Sequence, residues 1–224
     1  MRDLATRALD GARALLRSEG EFAPGVTRVP WRALAAFVAL PGFFYGAVMG
    51  LWGLRPLQAL YSGLKVPLLI GLTTLLALPS SYVLHALLGL RDDFGAAVRG
   101  ILAAQGTLTL SLVALAPITV LAYLSSADYA FAQAFNGLVF LAASVAAQVT
   151  LARHYQRLIA RDGRHRLTLA AWAALYTFIA IQLAWLLRPF IGREDMATSF
   201  LRADAVQNAY VEIGWRMWRM LRGA

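Results

Sequence analysis

The chain has 224 residues, 59% of them apolar and only 15% charged, with a formal net charge of +9 and no cysteine. An ordinary soluble domain carries about a quarter charged residues, so this composition fits lipid as the main solvent. The missing cysteine excludes disulfides, thiolate metal sites and a cysteine nucleophile.

Mean hydropathy is +0.59 and the pI is near 10.6. In a soluble chain such a basic balance suggests nucleic acid. Here the arginines flank long apolar runs, so anionic membrane lipids are the expected partner and nucleic acid is not. Arginine outnumbers lysine 20 to 1, as in a high-GC bacterial genome, which points to a bacterial inner membrane.

Residues 1–30 mix Arg2, Arg7, Arg13 and Arg17 with Asp3, Asp10, Glu19 and Glu21 and contain no apolar stretch of the signal-peptide kind. Leu4, Ala8, Leu9, Ala12, Leu15 and Leu16 recur at near-helical spacing. The segment reads as an amphipathic helix on the membrane surface, with a solvated or partner-bound helix as the alternative.

Five uncharged runs follow, at 33–54, 66–90, 100–127, 129–152 and 167–187, each of 21 residues or more. About 20 helical residues cross a hydrocarbon core of about 30 Å, and helices satisfy their own backbone in lipid where an open sheet does not. The expected fold is therefore all-α: a polytopic domain over 31–190 with about five transmembrane helices, and amphipathic interfacial helices at both ends.

In the first run Gly42, Gly46 and Gly50 recur every four residues, with Gly53 three later. Such a ladder lets another backbone approach closely, either within the chain or from a second protein. Pro41, Pro79 and Pro117 fall inside the first three runs and are candidate helix breaks. The stretch from Leu78 to Tyr82, with Ser80 and Ser81, is the best place for a functional one.

Between the second and third runs, Asp92 and Asp93 form an adjacent carboxylate pair, and Asp93 is placed to cap a helix starting near Phe94. Uncharged polar residues mark the later runs: Gln105, Thr107, Thr109 and Ser111, then Gln133, Asn136, Ser144 and Gln148, then Gln182. Asn136, Ser144 and Gln148 are spaced in multiples of four. Interhelical hydrogen bonds explain such residues; a polar solute path is the other reading.

Arg153, Arg157, Arg161, Arg164 and Arg166 crowd the segment before the fifth run and are the candidate anionic-lipid site. Counting Lys and Arg gives six in the N-terminal segment, two in 91–99 and five in 153–166, against two in 55–65 and none in 125–128. That places the N-terminus in the cytoplasm. In the tail, 191–224, Asp204, Asn208, Glu212, Arg216 and Arg219 make a polar stripe opposite Val206, Tyr210, Val211, Trp215, Trp218 and Leu221, the pattern of a second interfacial helix or of a helix docked on a partner.

No Asp, Glu, Lys or Arg lies within any run, which argues against proton coupling and voltage sensing. His85 is the one ionisable side chain there, and His154 and His165 stand apart in the arginine-rich segment. No metal triad or nucleophile with base and orienter is visible, so neither a cofactor nor an enzyme is expected.

The segment LKVPLLIGLTTLLALPSSYVLHALLGL, Leu64 to Leu90, resembles the bacterial branch of the Yip1-like membrane proteins, as does the order of a cytoplasmic segment followed by five spans. The Asp-Leu-Tyr-Gly-Pro type motif of the eukaryotic members is absent. The resemblance implies a membrane-shaping or scaffold protein and carries over no functional residue. The expectation is a non-enzymatic inner-membrane scaffold that forms a homo-oligomer or joins a membrane complex; the alternative is a channel or facilitator for an ion or small polar solute.

Overall fold

The computed structural model describes residues 2–26, 30–192, 197–202 and 218. Among these, all regular structure is helical: α1 (Arg2–Arg17), α2 (Trp31–Gly50), α3 (Pro56–Leu87), α4 (Phe94–Ser125), α5 (Tyr129–Arg161) and α6 (His165–Leu186), with short 3-10 turns at Gly20–Phe22, Trp52–Leu54 and Arg91–Asp93. Helices α2 to α6 are long and apolar enough to cross a membrane. The protein is thus an all-α chain with the makings of a multi-pass membrane protein. Helices α3 and α4 have 32 residues each and α5 has 33, about 48 Å or more, so they outreach a hydrocarbon core of about 30 Å.

The bundle is built on α2, which packs along α3 and crosses α4; α4 also pairs with α5, while α6 leans mainly on α3. One core joins them, around Tyr45, Val66, Ile101, Leu112, Leu151 and Tyr155. A smaller cluster of Leu15, Phe22, Leu34 and Ala103 fastens the N-terminal segment to the bundle. Leu15 is fully buried, and a Cβ on Gly106 of α4 would come within 2.7 Å of it. Part of the apolar side of α1 is therefore spent on the protein, while Leu9 and Leu16 stay exposed.

Three expectations change. The segment 55–65 is not a loop, because α3 starts at Pro56, and its fixed φ suits the first helical turn. Lys65 thus stands inside the helix, and the rule that no charged residue enters a span fails there. Pro41, Pro79 and Pro117, together with Pro67, interrupt no helix: α2, α3 and α4 run through them. Gly53 is not a rung of the ladder. It lies past α2 at φ 69°, a left-handed conformation in which it lets the chain turn.

Asp93 occupies the position before α4 but makes no side-chain cap. Its carboxylate is taken by His165, 3.1 Å away, and by Arg161 at 3.5 Å. Asp128 does cap, accepting from the Ala130 amide at 2.9 Å at the start of α5. Nearly all of the tail stripe, including Asp204, Asn208, Glu212, Arg216 and Arg219, lies outside the described residues; Trp218 is helical and 48% exposed.

Candidate functional site

The glycine ladder meets α3 of the same chain. A Cβ on Gly46 would stand 2.3 Å from the Ser62 carbonyl oxygen, and one on Gly50 would stand 2.6 Å from that of Gln58. Gly42 faces Pro67 and Thr109 at ordinary contact distance. This seam brings the backbones of α2 and α3 together and aims the next face of α3 at the chain that follows α6.

That face carries Gln58, Ser62 and Lys65, at steps of four and three, all fully buried. Lys65 Nζ donates to the Pro189 carbonyl at 2.6 Å, and Gln58 Nε2 donates to the carbonyls of Pro189 and Phe190, each at 3.1 Å. Ser62 donates to the Phe190 carbonyl as well. The Lys65 ammonium group also lies 5.8 and 5.1 Å from the ring centroids of Phe190 and Phe200. Three side chains thereby clamp a non-helical stretch, 187–192, whose Leu187 and Ile191 enter the core. The sequence signal was the solitary lysine of an arginine-rich chain.

The polar residues of α4 to α6 do not converge. Gln105 is buried and accepts from the Tyr176 hydroxyl of α6 at 2.9 Å. Thr109 donates to the Phe37 carbonyl of α2 at 2.6 Å. Asn136 joins three helices: it accepts from the Tyr45 hydroxyl at 2.9 Å and donates to the Tyr123 hydroxyl at 2.6 Å and to the Ala132 carbonyl at 2.7 Å. These atoms are held in separate helix contacts. Ser144 is half-buried, Gln133 and Gln148 are exposed, and Gln182 is half-buried on α6. Twelve residues accumulate about 120° beyond whole turns, which rotates Gln148 off the face that Asn136 buries.

On α5 the outward side carries Gln133, Gly137, Leu141 and Gln148 exposed, with Ser144 among them half-buried. At about 100° per residue these five fall within a strip about 80° wide. Gln133 donates to the Tyr129 hydroxyl at 3.3 Å. Gln148 makes no hydrogen bond among the described residues.

At the arginine-rich end all five candidate lipid residues are exposed. Arg157 donates to the Pro24 carbonyl, Arg161 reaches Asp93, and Arg164 holds Asp162 and the Leu88 carbonyl. Arg153 and Arg166 make no hydrogen bond or ion pair among the described residues. Between α3 and α6 a half-open cavity of about 210 Å³ is lined by Ser80, Ser81, Leu84, Ala171, Trp172 and Leu175.

No protein-family model matches this chain, and neither a curated protein nor a solved structure does.

Proposed function

We propose that the chain is a non-enzymatic membrane protein that works by lateral assembly, with a second copy docked on the outward strip of α5. The observation that carries this reading is Gln148. It sits five residues before Arg153, about 7.5 Å further along the helix, exposed in an apolar span with its amide unpaired. A carboxamide in hydrocarbon without a partner is costly. Two copies inserted in the same sense place the same residue at the same depth, and an amide, both donor and acceptor, pairs with its own copy. Gly137, with nothing within 4 Å of a Cβ there, lets the partner backbone close in. Interhelical bonds of this kind contribute about 0.6 to 2 kcal/mol each.

This reading keeps the expectation of a scaffold and moves it from α2 to α5, since the ladder of Gly42, Gly46 and Gly50 is filled by α3. A channel is less well supported, because Gln105, Thr109 and Asn136 spend their polar atoms on helix contacts. The scaffold role implied by the Yip1-like resemblance agrees with it. At the arginine-rich end, Arg153 and Arg166 are the free cations best placed for anionic headgroups, at about 1 kcal/mol each near the surface.

The absence of native cysteine makes the test clean. Single cysteines at Ser144 and Gln148, oxidised in native membranes, are expected to give a disulfide-linked dimer, and one at Phe178 on α6 is not. Gln148→Leu with Gly137→Leu should return the detergent-purified protein to monomer mass. No cross-link at either α5 position would end the proposal.

A further inference from the structure

The sequence leaves its three histidines apart, but the fold brings two of them together. His85, in the last turn of α3, and His165, the first residue of α6, are both fully buried, with ring centroids 6.0 Å apart. His85 Nδ1 lies 2.7 Å from the Ser81 carbonyl oxygen. A carbonyl only accepts, so the proton sits on Nδ1 and Nε2 presents a lone pair. His165 Nε2 lies 3.1 Å from Asp93 Oδ2. In the neutral ring that carboxylate fixes the proton on Nε2 and leaves Nδ1 as the second lone pair. Neither His85 Nε2 nor His165 Nδ1 has a hydrogen-bond partner among the described residues.

Two buried acceptors without a donor ask for an explanation. A histidine held from behind by a carbonyl or carboxylate, with its other nitrogen bare, is the arrangement that orients metal ligands and raises their basicity. We propose that His85 Nε2 and His165 Nδ1 together bind one transition-metal ion of the zinc or copper class. Imidazole suits these ions, whereas magnesium and calcium need oxygen ligands that the pair lacks. Two metal–nitrogen bonds of about 2.0 to 2.1 Å, added to the near halves of the two rings, reach the observed 6.0 Å centroid separation when the two nitrogens face each other across a wide angle at the metal. Among the described residues no group of three or more His, Cys, Asp or Glu forms. The remaining coordination positions therefore fall to water or a solute, and the α3–α6 cavity begins one turn away, at Ser81 and Leu84. His154, the third histidine, packs against Gly100 of α4 and forms no group of three with them among the described residues.

The test uses the full chain, stripped with chelator in detergent and equilibrated with Zn²⁺, Cu²⁺ or Co²⁺ one at a time. The wild type is expected to retain about one ion per chain after desalting. His85→Gln and His165→Gln should weaken binding at least as much as Asp93→Asn, which acts through His165 and should cost roughly 10- to 100-fold. His154→Gln should bind as the wild type does. Should a variant fail to fold, the visible spectrum of the cobalt-loaded wild type decides: an intense band from a low-coordinate nitrogen site supports the proposal, and the weak spectrum of hydrated cobalt overturns it. Retention of less than half an ion, or equal loss in His154→Gln, overturns it too.

Discussion

Thr109 on α4 gives the Phe37 carbonyl of α2 the hydrogen bond that Pro41 cannot. Proline lacks the amide that would reach back four residues, and the Thr109 hydroxyl lies 2.6 Å from that carbonyl. The same hydroxyl has the Gly106 and Gln105 carbonyls of its own helix at 2.9 and 3.3 Å, so the contact across helices is the shortest of three. A proline that reads as a helix break is, in the fold, a link between two helices. Removing the hydroxyl with Thr109→Val should cost about 1 to 3 kcal/mol, the penalty of a buried unpaired carbonyl. In a Pro41→Ala background the new amide can reach Phe37, and the cost of Thr109→Val should shrink. Unfolding the four proteins of this cycle in mixed micelles measures the coupling. Strict additivity would mean that the two residues share no energy.

Gly46 tests the seam. A methyl group there would press on the Ser62 carbonyl at 2.3 Å, backbone against backbone, with no flexible side chain to yield. Gly46→Ala should therefore force α2 and α3 apart and lower the unfolding midpoint and membrane yield. Gly71, on α3 with nothing within 4 Å of a Cβ, is the control, and Gly71→Ala should be neutral or slightly stabilising. Since the seam is internal, Gly46→Ala should give unstable protein and no well-folded form of lower mass. Equal behaviour of the two variants would contradict the packing described.

Much of the fold was legible because charge interrupts lipid-soluble sequence. The gaps between charged residues locate all five spans, and the spacing of Gly42, Gly46 and Gly50 marks a close helix contact. What spacing cannot carry is the identity of the opposing surface. The ladder meets residues 58 to 67, and the tyrosines that satisfy Asn136 lie 91 and 13 residues away. Charge gaps also misplace the start of α3. They stop at Lys65, because nothing local tells a lysine in water from one held by a carbonyl more than a hundred residues later. The meeting of His85 and His165 is lost for the same reason.

The turn between α5 and α6 predicts a pH response. The Asp162 carboxylate accepts from the Arg164 guanidinium, with a shortest contact of 2.6 Å, and from the Arg164 amide at 2.8 Å. These bonds, the guanidinium first, hold its pKa down from 3.8 to about 2. A depressed acid stabilises the folded turn above its ordinary pKa, and that contribution is lost as pH falls through about 2. Arg164 also donates to the Leu88 carbonyl at 2.6 Å, so loosening the turn frees the end of α3. Amide exchange across 162–168 should quicken, relative to the intrinsic rate, between pH 4 and pH 2 in the wild type. Asp162→Asn should be less protected at neutral pH and show no such acid step. An unchanged wild-type profile through that range would contradict the assignment.

Lys65 separates local clamping from global stability. Its removal from water is costly, and a buried charge replaced by an apolar residue of similar shape is often neutral or stabilising overall. The bond it gives the Pro189 carbonyl, though, is a charged one, of a kind whose loss costs about 1.5 to 3 kcal/mol, or about 10- to 150-fold in a local equilibrium. Lys65→Met keeps the bulk of the side chain and deletes that donor. Ile191, 5% exposed in the clamped stretch, offers the readout as Ile191→Cys in a chain with no other thiol. Maleimide labelling at that position should be slow with Lys65 present and faster by about that factor with methionine. Meanwhile the midpoint for unfolding the whole bundle should hold or rise. Ser62→Ala should move labelling in the same direction by less, since Gln58 still bonds the Phe190 carbonyl. If labelling does not change in Lys65→Met, the segment after α6 is held by Leu187 and Ile191 in the core, and the lysine does not clamp it. If protection from labelling and the global midpoint fall together, Lys65 belongs to the cooperative core of α3 and the stretch it touches has no separate opening.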